Sequence, residues 1–172
     1  MSVLAPVIEY ATLAVRIAGL PALFVIFVLK GALIGKVVPT SVVLWGYVAI
    51  AVPTYLDAAA LVVLITVAHL LGQLVVYAGS RRYGEAVLTT LPYVEIDPSS
   101  ERFQRIDRWF NRYGGFAVFL TNVIPWSRGL IAVPAGTSSY PSGRYLVHVS
   151  TSTLLYHAVY VAIPLVGLAV LA

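Results

Sequence analysis

The sequence has no cysteine and very little charge. Without cysteine there is no disulfide and no thiolate metal or redox site. Charged residues fill 10% of the 172 positions and hydrophobic residues 60%, which excludes an ordinary soluble domain. Histidine is scarce as well. His69, His148 and His157 have neither an acid nor a second histidine at ligand spacing, so no metal site is expected. There is no glycine-rich phosphate loop of the P-loop or dinucleotide type, which leaves ATP-driven transport by this chain alone without support. No nucleophile–base constellation stands out, and Ser127 beside Arg128 reads as a local cap rather than a nucleophile. The chain is therefore not read as an enzyme, and no cofactor is expected. The first sixteen residues lack a basic stretch ahead of an apolar run and carry Glu9, so a cleaved signal peptide is not expected.

What remains reads as one integral membrane domain over residues 1–172. Eleven Lys/Arg stand against seven Asp/Glu, a net charge of +4. These basic residues are sparse and flank apolar runs, which points to headgroup and orientation roles and away from nucleic acid. Residues 1–16 fit an interfacial helix or the start of a span. Ile17–Leu29 is an apolar run bounded by Arg16 and Lys30, short for crossing about 30 Å of hydrocarbon alone. The following stretch is punctuated by Gly31, Gly35, Lys36, Pro39, Gly46 and Pro53. It reads either as a re-entrant element around Lys36–Ser41, or as a long first helix, a short loop and a second span.

Ala58–Gly79 is the clearest span. Its only polar residues, Thr66, His69, Gln73 and Tyr77, fall within a stripe of roughly 80° on a helix. Such a stripe faces other helices or a cavity. Residues 80–113 hold six of the eleven basic residues, so this loop is expected in the cytoplasm. Within it, Phe103, Ile106, Phe110 and Tyr113 recur at helical spacing between a serine-rich start and Gly114. That pattern predicts an amphipathic helix lying at the membrane interface, anchored by its aromatics. Tyr145–Ile163 is a further span, with Arg144, His148, Thr151 and Ser152 on one side and His157 on the other.

The stretch from Gly114 to Arg144 organises the rest. Gly115–Val133 is mostly apolar, yet Asn122, Pro125 and Arg128 interrupt it. An arginine at the centre of a membrane helix costs about 2.5–3.5 kcal/mol on insertion scales. Broken backbone at that depth is tolerated only inside protein or beside a wet cavity. Asn122–Arg128 is thus expected to be a break or re-entrant turn displaying Arg128 to a cavity, where a phosphate group could meet the arginine and freed backbone N–H groups. The two halves look alike: Lys36/Pro39 in one, Pro125/Arg128 in the other, each followed by a span with a polar stripe. Paired interruptions of this kind point to an inverted-repeat transporter. The halves are 17–79 and 114–172, with the loop 80–113 between them.

The run FLTNVIPWSRGLIAVPAG, with LVVYAGSRRYG before it and YPSGRYL after it, resembles the DedA family of SNARE-associated, or VTT-domain, membrane proteins. Phe119, Pro125, Arg128, Ala135 and Gly136 match the family pattern in register, and Gly79, Arg81, Tyr83 and Gly84 match it approximately. The resemblance implies an all-α integral membrane fold: a small helical bundle with two re-entrant helical hairpins facing each other. It also implies a flippase or scramblase for polyprenyl (undecaprenyl-type) phosphate or phospholipid, with coupling to a proton gradient in some members. Two positions depart from the pattern. Asn122 stands where the family carries arginine, and Ser41 where it carries glutamate. Lys36 is then the expected source of the missing positive charge, and Asp57 the candidate proton carrier. The expected substrate-binding set is Arg128, Asn122, Pro125, Ser127, Arg144, Lys36, His69 and Gln73. Expected partners are membrane lipids with anionic headgroups, no nucleic acid, and a second copy of the chain if about four spans do not close the cavity. Alternative readings are a proton- or ion-coupled transporter of a small anion, using the same cavity, and a non-transporting membrane scaffold.

Overall fold

A computed structural model of the chain describes residues 13, 15, 17–34, 40–52, 54–87, 97, 99–124 and 128–171, and the regular elements among them are all helices, with no strand. The helices are α1 (Leu20–Gly31), α2 (Thr40–Ala51), α3 (Tyr55–Tyr83), α4 (Glu101–Tyr113), α5 (Gly115–Val123), α6 (Ala132–Thr137) and α7 (Ser142–Leu171). A short 3-10 turn, Gly84–Ala86, follows α3.

The axis of the fold is α3. Its start is fixed by Thr54, whose hydroxyl accepts the Asp57 N–H at 3.1 Å, and its last turn carries Arg81 and Arg82 against the negative end of the helix dipole. At 29 residues it is about 43 Å long, more than a hydrocarbon core requires. It and α7 are the two described helices long and apolar enough to cross a membrane. They run antiparallel: Thr66 bonds to His157 near the middle of both, and Tyr77 toward the end of α3 stacks on Tyr145 at the start of α7, with ring centroids 4.4 Å apart. Pro164 sits inside α7, which continues past it to Leu171 rather than ending there.

α3 wears its apolar residues outward. Val63, Val67, Leu71 and Val75 are exposed along one face, while Thr66, His69, Gln73 and Tyr77 on the opposite face are all buried. On α7, Leu146, Val147, Leu154, Leu155, Val159 and Ile163 are likewise exposed. An outer surface this apolar, wrapped around a polar interior, suits lipid as the solvent.

Helices in lipid gain little from burying apolar groups, so close packing through small residues carries more of the association. Gly72 of α3 and Gly31 of α1 meet backbone to backbone: a Cβ on Gly72 would lie 2.1 Å from the Val28 carbonyl oxygen, and one on Gly31 2.1 Å from the His69 carbonyl oxygen. Further along α3, a Cβ on Gly136 of α6 would lie 2.5 Å from the Tyr77 carbonyl oxygen. Glycine is thus required where α1 and α6 each press onto α3.

Two apolar clusters result. One joins α1, α2, the first half of α3 and Val161 of α7 through Leu23, Phe27, Leu44, Val48 and Ile65. The other joins the second half of α3 to α4, α5, α6 and the start of α7 through Leu33, Phe103, Phe110, Ile131 and Tyr145. The amphipathic helix predicted at 100–113 is present as α4. Ser100 caps it, its hydroxyl accepting the Phe103 N–H at 3.3 Å, and just upstream the Ser99 hydroxyl and N–H bond the Asp97 carboxylate and hold it below the usual carboxylate range. Its apolar face corrects the sequence expectation. Phe103, Ile106 and Phe110 are covered by the protein's own core, and Phe110 packs edge-on against Tyr140, so they are not lipid anchors. Tyr113 is exposed.

The contact at Gly72 yields a prediction. Gly72→Ala forces α1 and α3 apart and destabilises the protein by about 1–3 kcal/mol. Gly46→Ala on α2, where nothing lies within 4 Å of the added methyl, is neutral or slightly favourable. Thermal unfolding of the two variants in the same detergent, beside the parent, measures the difference.

Candidate functional site

Between the two apolar clusters lies a layer of buried polar side chains. α3 contributes Thr66, His69 and Gln73, one or two helical turns apart on its inner face. α5 contributes Asn122 from its last turn, and α7 contributes Ser152, Thr153 and His157. Arg128 enters from the turn between α5 and α6 and is 7% exposed.

Asn122 is the crosspiece. Its Oδ1 accepts from Gln73 Nε2 at 2.7 Å, and its Nδ2 donates to Ser152 Oγ at 2.9 Å and to Thr153 Oγ1 at 2.6 Å. One amide therefore ties α3, α5 and α7 together with its donors and acceptor engaged. Asn122, expected from the sequence as a substrate contact, is thus a link between three helices.

Arg128 is differently placed. Its guanidinium carbon lies 3.8 Å from the centroid of the Tyr156 ring, a cation–π contact in a desolvated setting. Its Nε and Nη2 have no hydrogen-bond partner among the described residues. The one ion pair among the described residues, Arg105–Glu101 at 3.5 Å, lies far out on the exposed side of α4, and no acid among the described residues joins the layer. Both ring nitrogens of His69 and the Oε1 of Gln73 are also without a described partner. The His69 and His157 rings meet edge to face with centroids 5.5 Å apart, and His157 Nδ1 is 3.0 Å from Thr66 Oγ1.

A second cation approaches from α1. Lys30 is bonded to the Thr40 hydroxyl and lies 6.0 Å from the Phe27 ring centroid, and the Phe27 ring packs edge-on against His157. The backbones behind them touch. A Cβ on Gly129 would lie 2.8 Å from Leu33 Cδ2 and 3.7 Å from the Gly31 carbonyl oxygen. Leu33 (φ 68°) and Gly129 (φ 79°) are both left-handed, so two tight turns meet tip to tip.

The layer brings together Arg128, Asn122, His69 and Gln73 of the expected set. It does not bring in Arg144, which is exposed at the start of α7, or Asp57. The Asp57 carboxylate accepts the Thr54 hydroxyl at 2.6 Å at an exposed helix start, where it favours the helix dipole, so it is a capping residue outside the layer. Lys36, Pro125 and Ser127 lie outside the described residues. His157 and Lys30 were missed. His157 was expected on the side of α7 away from Arg144 and His148, as a packing or interfacial residue, and it is 1% exposed within the layer. Of the side chosen instead, Ser152 is buried, whereas Arg144 and Thr151 are exposed and His148 is half-buried against Gly115.

The VTT domain family matches residues 20–164, a stretch that takes in every helix up to the last turns of α7. The chain belongs to the VTT-domain family. Its members include the proteins that the Phe119–Gly136 pattern resembles. The chain is also similar to undecaprenyl phosphate transporter A of Staphylococcus aureus (strain NCTC 8325 / PS 47), with 31% identity over 127 residues. That match covers 70% of this chain and 60% of the relative, so the chain spans less than two thirds of the relative's length. No solved structure matches.

Removing the crosspiece has a defined cost. Asn122→Ala leaves Gln73, Ser152 and Thr153 facing one another without their shared partner and lowers stability by about 1–3 kcal/mol. Asn122→Gln, which keeps the amide but displaces it by one methylene, recovers part of this. Unfolding midpoints of the three proteins in detergent test the ranking.

Proposed function

We propose that the chain carries the phosphate headgroup of a membrane lipid from one leaflet to the other, with a polyprenyl phosphate as substrate. The observation that carries this reading is Arg128: a buried guanidinium with two unpartnered nitrogens and no acid beside it among the described residues. A buried charge of this kind is costly without a counter-charge, and a phosphate supplies one in the geometry a guanidinium fits best. Membership of the VTT-domain family and the name of the Staphylococcus relative support the same substrate chemistry.

In this reading the two turns that meet at Leu33 and Gly129 are the tips of opposed re-entrant hairpins in an inverted repeat, which puts the polar layer near the bilayer midplane. The arginine-rich segment 80–113 lies on the cytoplasmic side of a multi-pass protein, as its excess of arginine favours. The headgroup exchanges water for the Arg128 N–H groups and the polar layer. The tail stays in hydrocarbon, passing over the apolar outer faces of α3 and α7.

Vesicles containing the full chain, loaded with labelled polyprenyl phosphate, phospholipid or a small anion, test the reading. Arg128→Gln is expected to reduce polyprenyl phosphate exchange about 100-fold or more, as when one partner of a buried ion pair worth about 3 kcal/mol is removed. Folded parent protein that exchanges no lipid between leaflets overturns the proposal, and passage of the small anion alone turns it into anion transport.

A further inference from the structure

Lys30 was read from the sequence as the boundary of an apolar run, and the site as described so far needs only Arg128. The surroundings of Lys30 give it a larger part. Lys30-Gly31 and Arg128-Gly129 are the same cation–glycine pair, one in each half of the chain. The two glycines abut: a Cβ on Gly129 would lie 3.7 Å from the Gly31 carbonyl oxygen. Each cation rests on an aromatic ring of the same cluster, Lys30 on Phe27 and Arg128 on Tyr156, and both rings pack against His157. Thr40, at the start of α2, bonds the Lys30 ammonium and fixes where it points. The two rings converge on His157, and among the described residues no ion pair joins either cation to an acid. Two positive charges brought to one cluster, Arg128 buried and Lys30 half-buried, are stabilised together by a ligand carrying two negative charges.

We infer that Lys30 and Arg128 form one two-cation site that selects a phosphate monoester dianion over a phosphodiester monoanion, with Lys30 as the specificity-determining residue. The inference rests on the proposed headgroup-binding role of Arg128 and adds the charge state of the ligand to it. Arg128 presents its guanidinium edge to the phosphoryl oxygens, and Lys30 acts as a point charge on the opposite side. A diester has one charge to offer and leaves one of the two cations uncompensated. His69 lies in the same layer, and its buried ring nitrogens have no described partner.

The test uses the full chain in liposomes at pH 8, where a monoester phosphate is the dianion. Exchange is measured for polyprenyl monophosphate, for phosphatidylglycerol as the diester, and for inorganic phosphate. The parent is expected to move the monoester about tenfold or more faster than the diester. Lys30→Gln is expected to lower that ratio about tenfold, and Lys30→Arg to restore most of it. Arg82→Gln, at the exposed end of α3, is the control for surface charge. Inorganic phosphate that competes without crossing assigns the site to a lipid headgroup; inorganic phosphate that crosses in the parent and not in Lys30→Gln assigns the same two-cation site to the free anion. If Lys30→Gln scales monoester and diester rates by one common factor, or changes neither, the inference is wrong. Should the parent move nothing at all, the headgroup-transport reading falls and binding decides the inference. Inorganic phosphate, and not dimethyl phosphate, must then raise the melting temperature of the detergent-solubilised parent, and must fail to do so for Lys30→Gln; equal shifts in both proteins overturn it.

Discussion

A guanidinium that water cannot reach is the constraint around which this structure is arranged. Arg128 cannot sit in a regular helix facing lipid, because the charge would be exposed to hydrocarbon, and it has no described acid to neutralise it. The chain answers by breaking. α5 stops at Val123, α6 does not start until Ala132, and Arg128 occupies the turn between them. A break frees backbone donors and acceptors that lipid would punish, so the turn must be enclosed by protein. α3 and α7 enclose it. Their outer faces are apolar, their inner faces polar, and their lengths suffice to shield the layer from both leaflets.

Enclosure in turn demands close approach, and this is where glycine enters. If α1 stood a side chain further from α3 at Gly31 and Gly72, the turn at Leu33 would no longer reach Gly129, and the two halves of the polar layer would separate. Gly136 holds α6 onto the other end of α3 in the same way. The hydrogen bonds of Asn122 then fix the rotation of α3, α5 and α7 about their axes, which apolar packing alone leaves loose. Small residues set the spacing, one amide sets the orientation, and the charges occupy the space so defined.

The sequence revealed the parts of this arrangement that periodicity records. The stripe Thr66–His69–Gln73–Tyr77 on an otherwise apolar span could only face inward, and it does. Arg128 between Pro125 and Pro134 could only mark a break. Periodicity identifies a face, however, and not what covers it. The apolar side of α4 has the same spacing whether lipid or protein lies against it, and here it is protein. The inner face of α7 was misjudged because Arg144 and His148, near its start, drew the polar side toward themselves. The face that turns inward instead begins at Tyr145 and runs through Val149, Ser152, Thr153 and His157. Lys30 escaped notice for a simpler reason. A lysine closing an apolar run has the signature of a membrane boundary, and only the crossing of α1 with α3 and its bond to Thr40 bring it to the layer.

The resemblance to relatives set Asn122 apart as a lost arginine, and Lys36 as the residue to make up the charge. The geometry argues for a different exchange. An arginine at position 122 would have to fit among Gln73, Ser152 and Thr153, where a neutral amide already meets every donor and acceptor it has. With a neutral residue there, α3, α5 and α7 are joined without adding charge to the layer, and the second cation is free to enter from α1. The two cations stand beside two glycines that abut, Lys30 in the last turn of α1 and Arg128 in the turn before α6. Charge count and hydrogen-bond geometry are thereby separated: Asn122 holds the helices together, while Lys30 and Arg128 carry the positive charge. Under the two-cation proposal, a change at Lys30 alone alters the charge preference of the site and leaves the crosspiece that maintains the fold intact.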